Sequence, residues 1–152
     1  MNALTAKSEM LVNVSRQEVF SAFCDRRTLC KFWLAHSSGD LTRGAKVEWT
    51  FMVPGAKETV EVIAFQPHDY LKFKWSDETI VEVSFADRTP QSTRVSVVVS
   101  GFTDADRVAL AINATEGFAI VLCDLKSLLE TGVSGGMVRD KALLIADERT
   151  DS

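Results

Sequence analysis

From Lys46 to Gly101 apolar and polar residues alternate with a period of two, in about five runs separated by turn-forming residues. In the first run Val47, Trp49, Phe51 and Val53 share one face, and Lys46, Glu48 and Thr50 share the other. Leu71, Phe73 and Trp75 alternate with Lys72 and Lys74, and Val81, Val83 and Phe85 with Glu82 and Ser84. Thr93, Val95, Val97 and Val99 alternate with Arg94 and Ser96. The run from Thr59 to Phe65 departs from this pattern, with apolar residues on both faces. Pro54-Gly55, Pro67-His68-Asp69, Ser76-Asp77-Glu78 and the Pro90 segment mark the turns. Successive side chains point to opposite faces of a strand, so the pattern predicts an antiparallel sheet with one apolar and one wet face.

The period changes on either side of these runs. After an apolar segment from Glu9 to Val14, Ser15-Arg16-Gln17-Glu18 reads as a capping box, and Val19, Phe20 and Phe23 follow at helical spacing. Asp25 is placed to cap a second short helix toward Trp33, with Leu29 and Phe32 on its apolar face. Beyond the last strand, Val108, Ala111, Ile112, Thr115, Phe118, Leu122, Leu125 and Leu129 recur with a period near 3.6. They predict one long helix from about Asp104 to Glu130, with Thr103 as its N-cap and Gly132 just past its end. Such a helix reaches roughly 40 Å, enough to cross the sheet obliquely. Ser134-Gly135-Gly136 then reads as a loop. A short helix around Ala142-Leu143-Leu144-Ile145-Ala146 is expected to pack on the body or on a partner subunit. The expected organisation is one α+β domain over residues 1–132 and a tail over residues 133–152: about six strands, two short helices after the first strand, and a long C-terminal helix.

Composition narrows the classes. A chain of 152 residues with 46% hydrophobic residues can build one core without staples. The net charge of −4, with basic residues scattered among acidic ones, argues against nucleic acid as a partner. Cys24, Cys30 and Cys123 form no C-x-x-C pair and read as reduced thiols. Met1 to Lys7 lacks the apolar core of a signal peptide, and no run of about 18 apolar residues occurs. A cytoplasmic location without membrane insertion is the expectation.

Several segments together resemble the START-like (SRPBCC) superfamily, and within it the Hsp90-ATPase-activator-homologue type. Val14 to Trp33 is similar to the family's opening segment, and Asp40-Leu41-Thr42-Arg43-Gly44 to its loop before the second strand. The stretch from Pro67 to Trp75 resembles its proline turn and Trp-ended strand. Thr93 to Phe102 resembles its last strand, and Glu116-Gly117-Phe118 through Gly132 its closing helix. Three positions depart: Ala45 where a second Gly is common, Phe118 where a Trp is common, and no glycine in the strand with Val60 and Val62. The resemblance implies a helix-grip fold, a curved antiparallel sheet around the long helix with a cavity between them. It does not imply one activity, since members bind small apolar molecules, catalyse cyclisations or assist a chaperone.

The candidate ligand-binding residues follow from this arrangement. Trp49, Phe51, Phe73, Trp75 and Phe85 are expected on the concave face, opposed by Phe118 and Leu122, with Trp33 and His36 at the mouth. They can line a ligand pocket or form a plain core. A dry void of about 300 Å³ costs about 7 kcal/mol, close to the stability of a whole domain, so a pocket here is expected to be wet or filled. Glu116 becomes an acid/base candidate if it points inward, where desolvation raises its pKa; pointing outward, it is a rim carboxylate. Close approach of a strand or a ligand would explain Gly117 in mid-helix. With His36 and His68 the only histidines, no metal site is expected, and neither a cofactor nor a catalytic set is assigned. Three readings stand: a binder of a small apolar molecule, a chaperone-associated or other protein-interaction module that includes a homodimer, and a cyclase-like enzyme. The last has only Thr79, Thr93 and Glu116 as inward polar groups.

Overall fold

β1 (Ala6–Val12) pairs with the last strand of the sheet, so the two ends of the β-region are joined at once. A computed structural model describes residues 3–150; the outer ends of the expected domain and tail, at residues 1–2 and 151–152, lie outside the described residues. After β1 come α1 (Arg16–Cys24), α2 (Arg26–Phe32), β2 (Leu34–Ser37), β3 (Lys46–Phe51) and β4 (Lys57–Gln66). β5 (Tyr70–Lys74), β6 (Ile80–Thr89), β7 (Ser92–Ser100), α3 (Arg107–Thr131) and α4 (Met137–Thr150) complete the order. All seven strands form one antiparallel sheet in the order β1-β7-β6-β5-β4-β3-β2. β1 and β2 are therefore opposite edges, and α1 and α2 carry the chain from one edge to the other.

The sheet has seven strands where the alternating runs predict about six. The additional one, β2, is four residues long with a register shift between Leu34 and His36, too short to show a period. His36 thus lies on an edge strand. β4 explains the run that fails to alternate. Val60 and Val62 are buried, Ile63 is 44% exposed, and Phe65 again packs inward against Phe20. The register shift between Val62 and Ala64 is a bulge, whose extra residue changes the phase of the alternation.

Local chemistry sets the helix ends. The Ser15 hydroxyl accepts the Glu18 amide at 3.3 Å, as the capping box requires. At Asp25, which precedes α2, the carboxylate accepts from the Thr28 hydroxyl at 2.8 Å, and this bond leads the effects that lower its pKa. α3 starts at Arg107, later than the expected start near Asp104. Its N-cap is Asp106, without a side-chain bond, and Thr103 lies outside the helix. Its C-cap, Gly132, has φ of +84°, the left-handed geometry that glycine adopts without a Cβ penalty.

α3 makes its close backbone contacts with β1, β7, α2 and α4. It lies low over the β1–β7 side of the sheet and stands off from β3 to β5, where large aromatic side chains occupy the gap. By length and apolarity α3 is also the one described helix able to cross a membrane. Ala111, Phe118, Val121, Leu122 and Leu125 are buried along it, as suits a core helix packed on a sheet.

Candidate functional site

Where α3 leaves the sheet, an apolar cleft of about 320 Å³ opens. One wall is Trp33 with Phe51, Met52, Val53 and Ala56 of the β3–β4 hairpin, and Trp75 just after β5. Ala114, Gly117, Phe118, Ile120 and Val121 of α3 form the second wall. The third comes from α4: Val138, Lys141, Ala142, Ile145 and Arg149. The volume falls at the low end for a small-molecule site.

An aromatic cluster shapes the floor. Trp33 meets Trp49 with ring centroids 4.8 Å apart, Phe118 at 5.6 Å and Phe23 at 6.0 Å, all edge to face. Trp49 contacts Phe51, Phe73 and Trp75 as well, is fully buried, and has no hydrogen-bond partner for its Nε1. The tail helix is held over this floor by two polar contacts. Asp124 of α3 is 1% exposed, and its carboxylate accepts the Met137 amide at 3.2 Å and the Val138 amide at 2.8 Å. A buried carboxylate from one helix thereby caps the N-terminus of another, where amides lack partners and the helix dipole favours negative charge. Further along, Lys141 Nζ lies 2.8 Å from Glu116 Oε1, and that carboxylate raises the lysine pKa.

The ten candidate residues divide into three groups. Trp33, Phe51, Trp75 and Phe118 line the cleft. Trp49, Phe73, Phe85 and Leu122 are buried and do not line it. Phe85 packs with Phe20 and Phe23 under α1, and the others fill the space between sheet and helix. His36 and Glu116 are exposed and are not among the residues lining the cleft; Glu116 is the rim carboxylate, tied to Lys141. The inward hydroxyls are engaged in the structure: Thr79 donates to Asp77 at 2.6 Å and Thr93 to the Val14 carbonyl at 2.9 Å. No strand approaches Gly117. A Cβ built there would meet nothing within 4 Å, and the residue borders the cleft.

Sequence reasoning missed the α4 wall and the Met52–Val53 turn. The apolar run at Ala142–Ala146 signals packing, and the structure packs part of it: Ala142 and Ile145 line the cleft, whereas Leu143 and Leu144 are 59% and 58% exposed; nothing in its period says which face of α3 receives it. Asp124 is missed for a similar reason: one carboxylate on an apolar helix has no sequence partner thirteen residues away. Among the described residues, no group of three or more His, Cys, Asp or Glu is placed to hold a metal. All three cysteines are free, and burial pushes the Cys24 thiol up to about 12, with Asp40 adding to it.

The sequence matches the family model described as Activator of Hsp90 ATPase homolog 1-like protein over residues 13–130. α4 lies beyond the matched segment. Among curated proteins no sequence matches significantly. Solved structures share the fold. The protein SSP2350 of Staphylococcus saprophyticus is 24% identical with a TM-score of 0.76, over 86% of this chain and 95% of that one. The Aha1 of Colwellia psychrerythraea, solved in solution as a dimer, is 18% identical with a TM-score of 0.74, over 85% and 98%. DynU16, from the dynemicin biosynthetic locus, is 24% identical with a TM-score of 0.73; the match covers 86% of this chain but 48% of that one. Likeness at these identities shows the fold alone.

Proposed function

The chain belongs to the Activator of Hsp90 ATPase homolog 1-like family, and from that premise we propose that it binds a small apolar molecule in the cleft between sheet, α3 and α4. One observation carries the reading: Gly117 lies in mid-α3, where its missing side chain leaves open space bordering the cleft. Glycine in a helix interior costs about 1 kcal/mol against alanine, and no neighbouring backbone requires it here. Space for a ligand accounts for that cost. The aromatic lining supplies area and shape, and the cleft is open enough to hold water when vacant, which avoids the expense of a dry void.

A second reading, a protein-interaction module, has one feature in its favour. Val108 and Ile112, one turn apart near the start of α3, are 56% and 63% exposed. The dimeric Colwellia relative and the family's name fit a second copy or a chaperone as the partner. A cyclase-like enzyme has less support, because the ionisable groups lining the cleft are two cations and provide no acid–base pair. Free cysteines accord with a reducing cytoplasm.

The test is native mass spectrometry of the purified protein, followed by thermal melts with 1-octanol as a neutral apolar probe. A bound small molecule, or a melting temperature that rises as the probe saturates, is the expected result. A ligand at one hundred times its Kd adds about 2.7 kcal/mol. A bare mass with no probe response, together with capture by a purified Hsp90-type chaperone, would replace this reading with the second.

A further inference from the structure

We infer that the cleft selects an apolar molecule ending in a carboxylate, whose head Lys141 receives. This rests on the cleft reading above and goes further by fixing the chemical class of the ligand. Of the residues lining the cleft, only Lys141 and Arg149 are ionisable, and both are cations. They stand two turns apart on one face of α4, with Ile145 between them. No carboxylate lines the cleft among the described residues. A charge leaving water needs an opposite partner. An acid with an apolar body finds one in Lys141, an amine meets a like charge there, and an alcohol gains nothing from it.

Lys141 is arranged to accept such a head group. Its ammonium carries three donors, and the structure pairs it with the Glu116 carboxylate. Glu116 acts on it from α3 and Glu148 from its own helix. The Glu116 side chain is 58% exposed, so a ligand carboxylate can take its place on Lys141 while Glu116 turns into water. The lysine side chain is 34% exposed, bridging the cleft and the solvent. Size sets the length of the molecule. At the roughly 30 Å³ of a water-sized unit, about ten non-hydrogen atoms fill 320 Å³, which is the size of octanoate.

The experiment is calorimetric titration of the full chain with octanoate, 1-octanol and octylamine, repeated on Lys141→Met and Glu116→Gln. We expect octanoate to bind at least tenfold more tightly than octanol, and octylamine to bind most weakly. Lys141→Met should remove the preference for the acid, so that octanoate binds this variant no more tightly than octanol does. Glu116→Gln should strengthen octanoate binding, since the competing carboxylate is gone while the ammonium remains. Equal affinity for acid and alcohol in the parent chain overturns the inference and leaves the cleft reading standing. Failure of all three probes removes the cleft reading and this inference with it. If both substitutions weaken the acid equally, the ion pair acts only by holding α4 in place, and a direct role for Lys141 is refuted.

Discussion

Gly117 is the residue at which helix stability and cleft volume oppose each other. In most helices a mid-helix glycine reflects close packing, yet here an added methyl group would enter open space beside the cleft. Gly117→Ala is therefore expected to stabilise the ligand-free protein by about 1 kcal/mol in chemical denaturation. The same methyl occupies cleft volume, so probe affinity should fall in the same variant. A variant that is more stable and binds equally well would show that the space beside Gly117 is not used. The glycine is visible in the sequence; the emptiness around it is not, because that depends on how far α3 stands from β3.

At the scale of elements, α4 is the part whose role depends most on a single buried group. Asp124 gives both carboxylate oxygens to the first amides of α4, while Val138 and Ala142 turn toward α3 and the cleft. Removing residues 133–152 would leave that carboxylate without its donors and expose the apolar side of α3. The carboxylate then meets water in place of two amides, so what is lost is the net worth of hydrogen bonds to a charged group, about 1.5–3 kcal/mol each, together with the apolar burial between the helices. The truncated chain is expected to lose at least about 2 kcal/mol in denaturant unfolding and to lose probe binding with it. Unchanged stability would mean that α4 does not dock on this body. An apolar run in the tail predicts that the helix packs. Its target is settled by the pairing of Asp124 with amides that any sequence would offer.

For the whole molecule, the question is what fastens α3 across the edge of the sheet. The Ser8 hydroxyl donates to the Thr115 carbonyl at 3.0 Å, Lys126 Nζ to the Leu11 carbonyl at 2.7 Å, and the Asn13 amide to Glu130 Oε2 at 2.8 Å. Glu130 also pairs with Lys126 at 2.7 Å, and the bonds from Lys126 and Asn13 lower its pKa below the ordinary carboxylate value. A depressed folded pKa means stability that is present above the unfolded value near 4.3 and lost as pH falls through the folded value. Glu130→Gln should thus cost about 1 kcal/mol at neutral pH, and the gap to the parent should close as pH drops below about 4. Parallel melting curves down to acid pH would show that this clasp contributes nothing. The alternation of Val47 to Phe51 and Val81 to Phe85, the Ser15 cap and the 3.6 period of α3 are local properties. The order of strands and helices and the apolar face of the sheet were therefore determined by sequence alone. Strand β2, the bulge at Ile63, the division of the aromatics between core and cleft, and the α4 wall were decided only in the tertiary structure. Each depends on distances between segments far apart in the chain, and periodicity reports which way a side chain points, not what it meets.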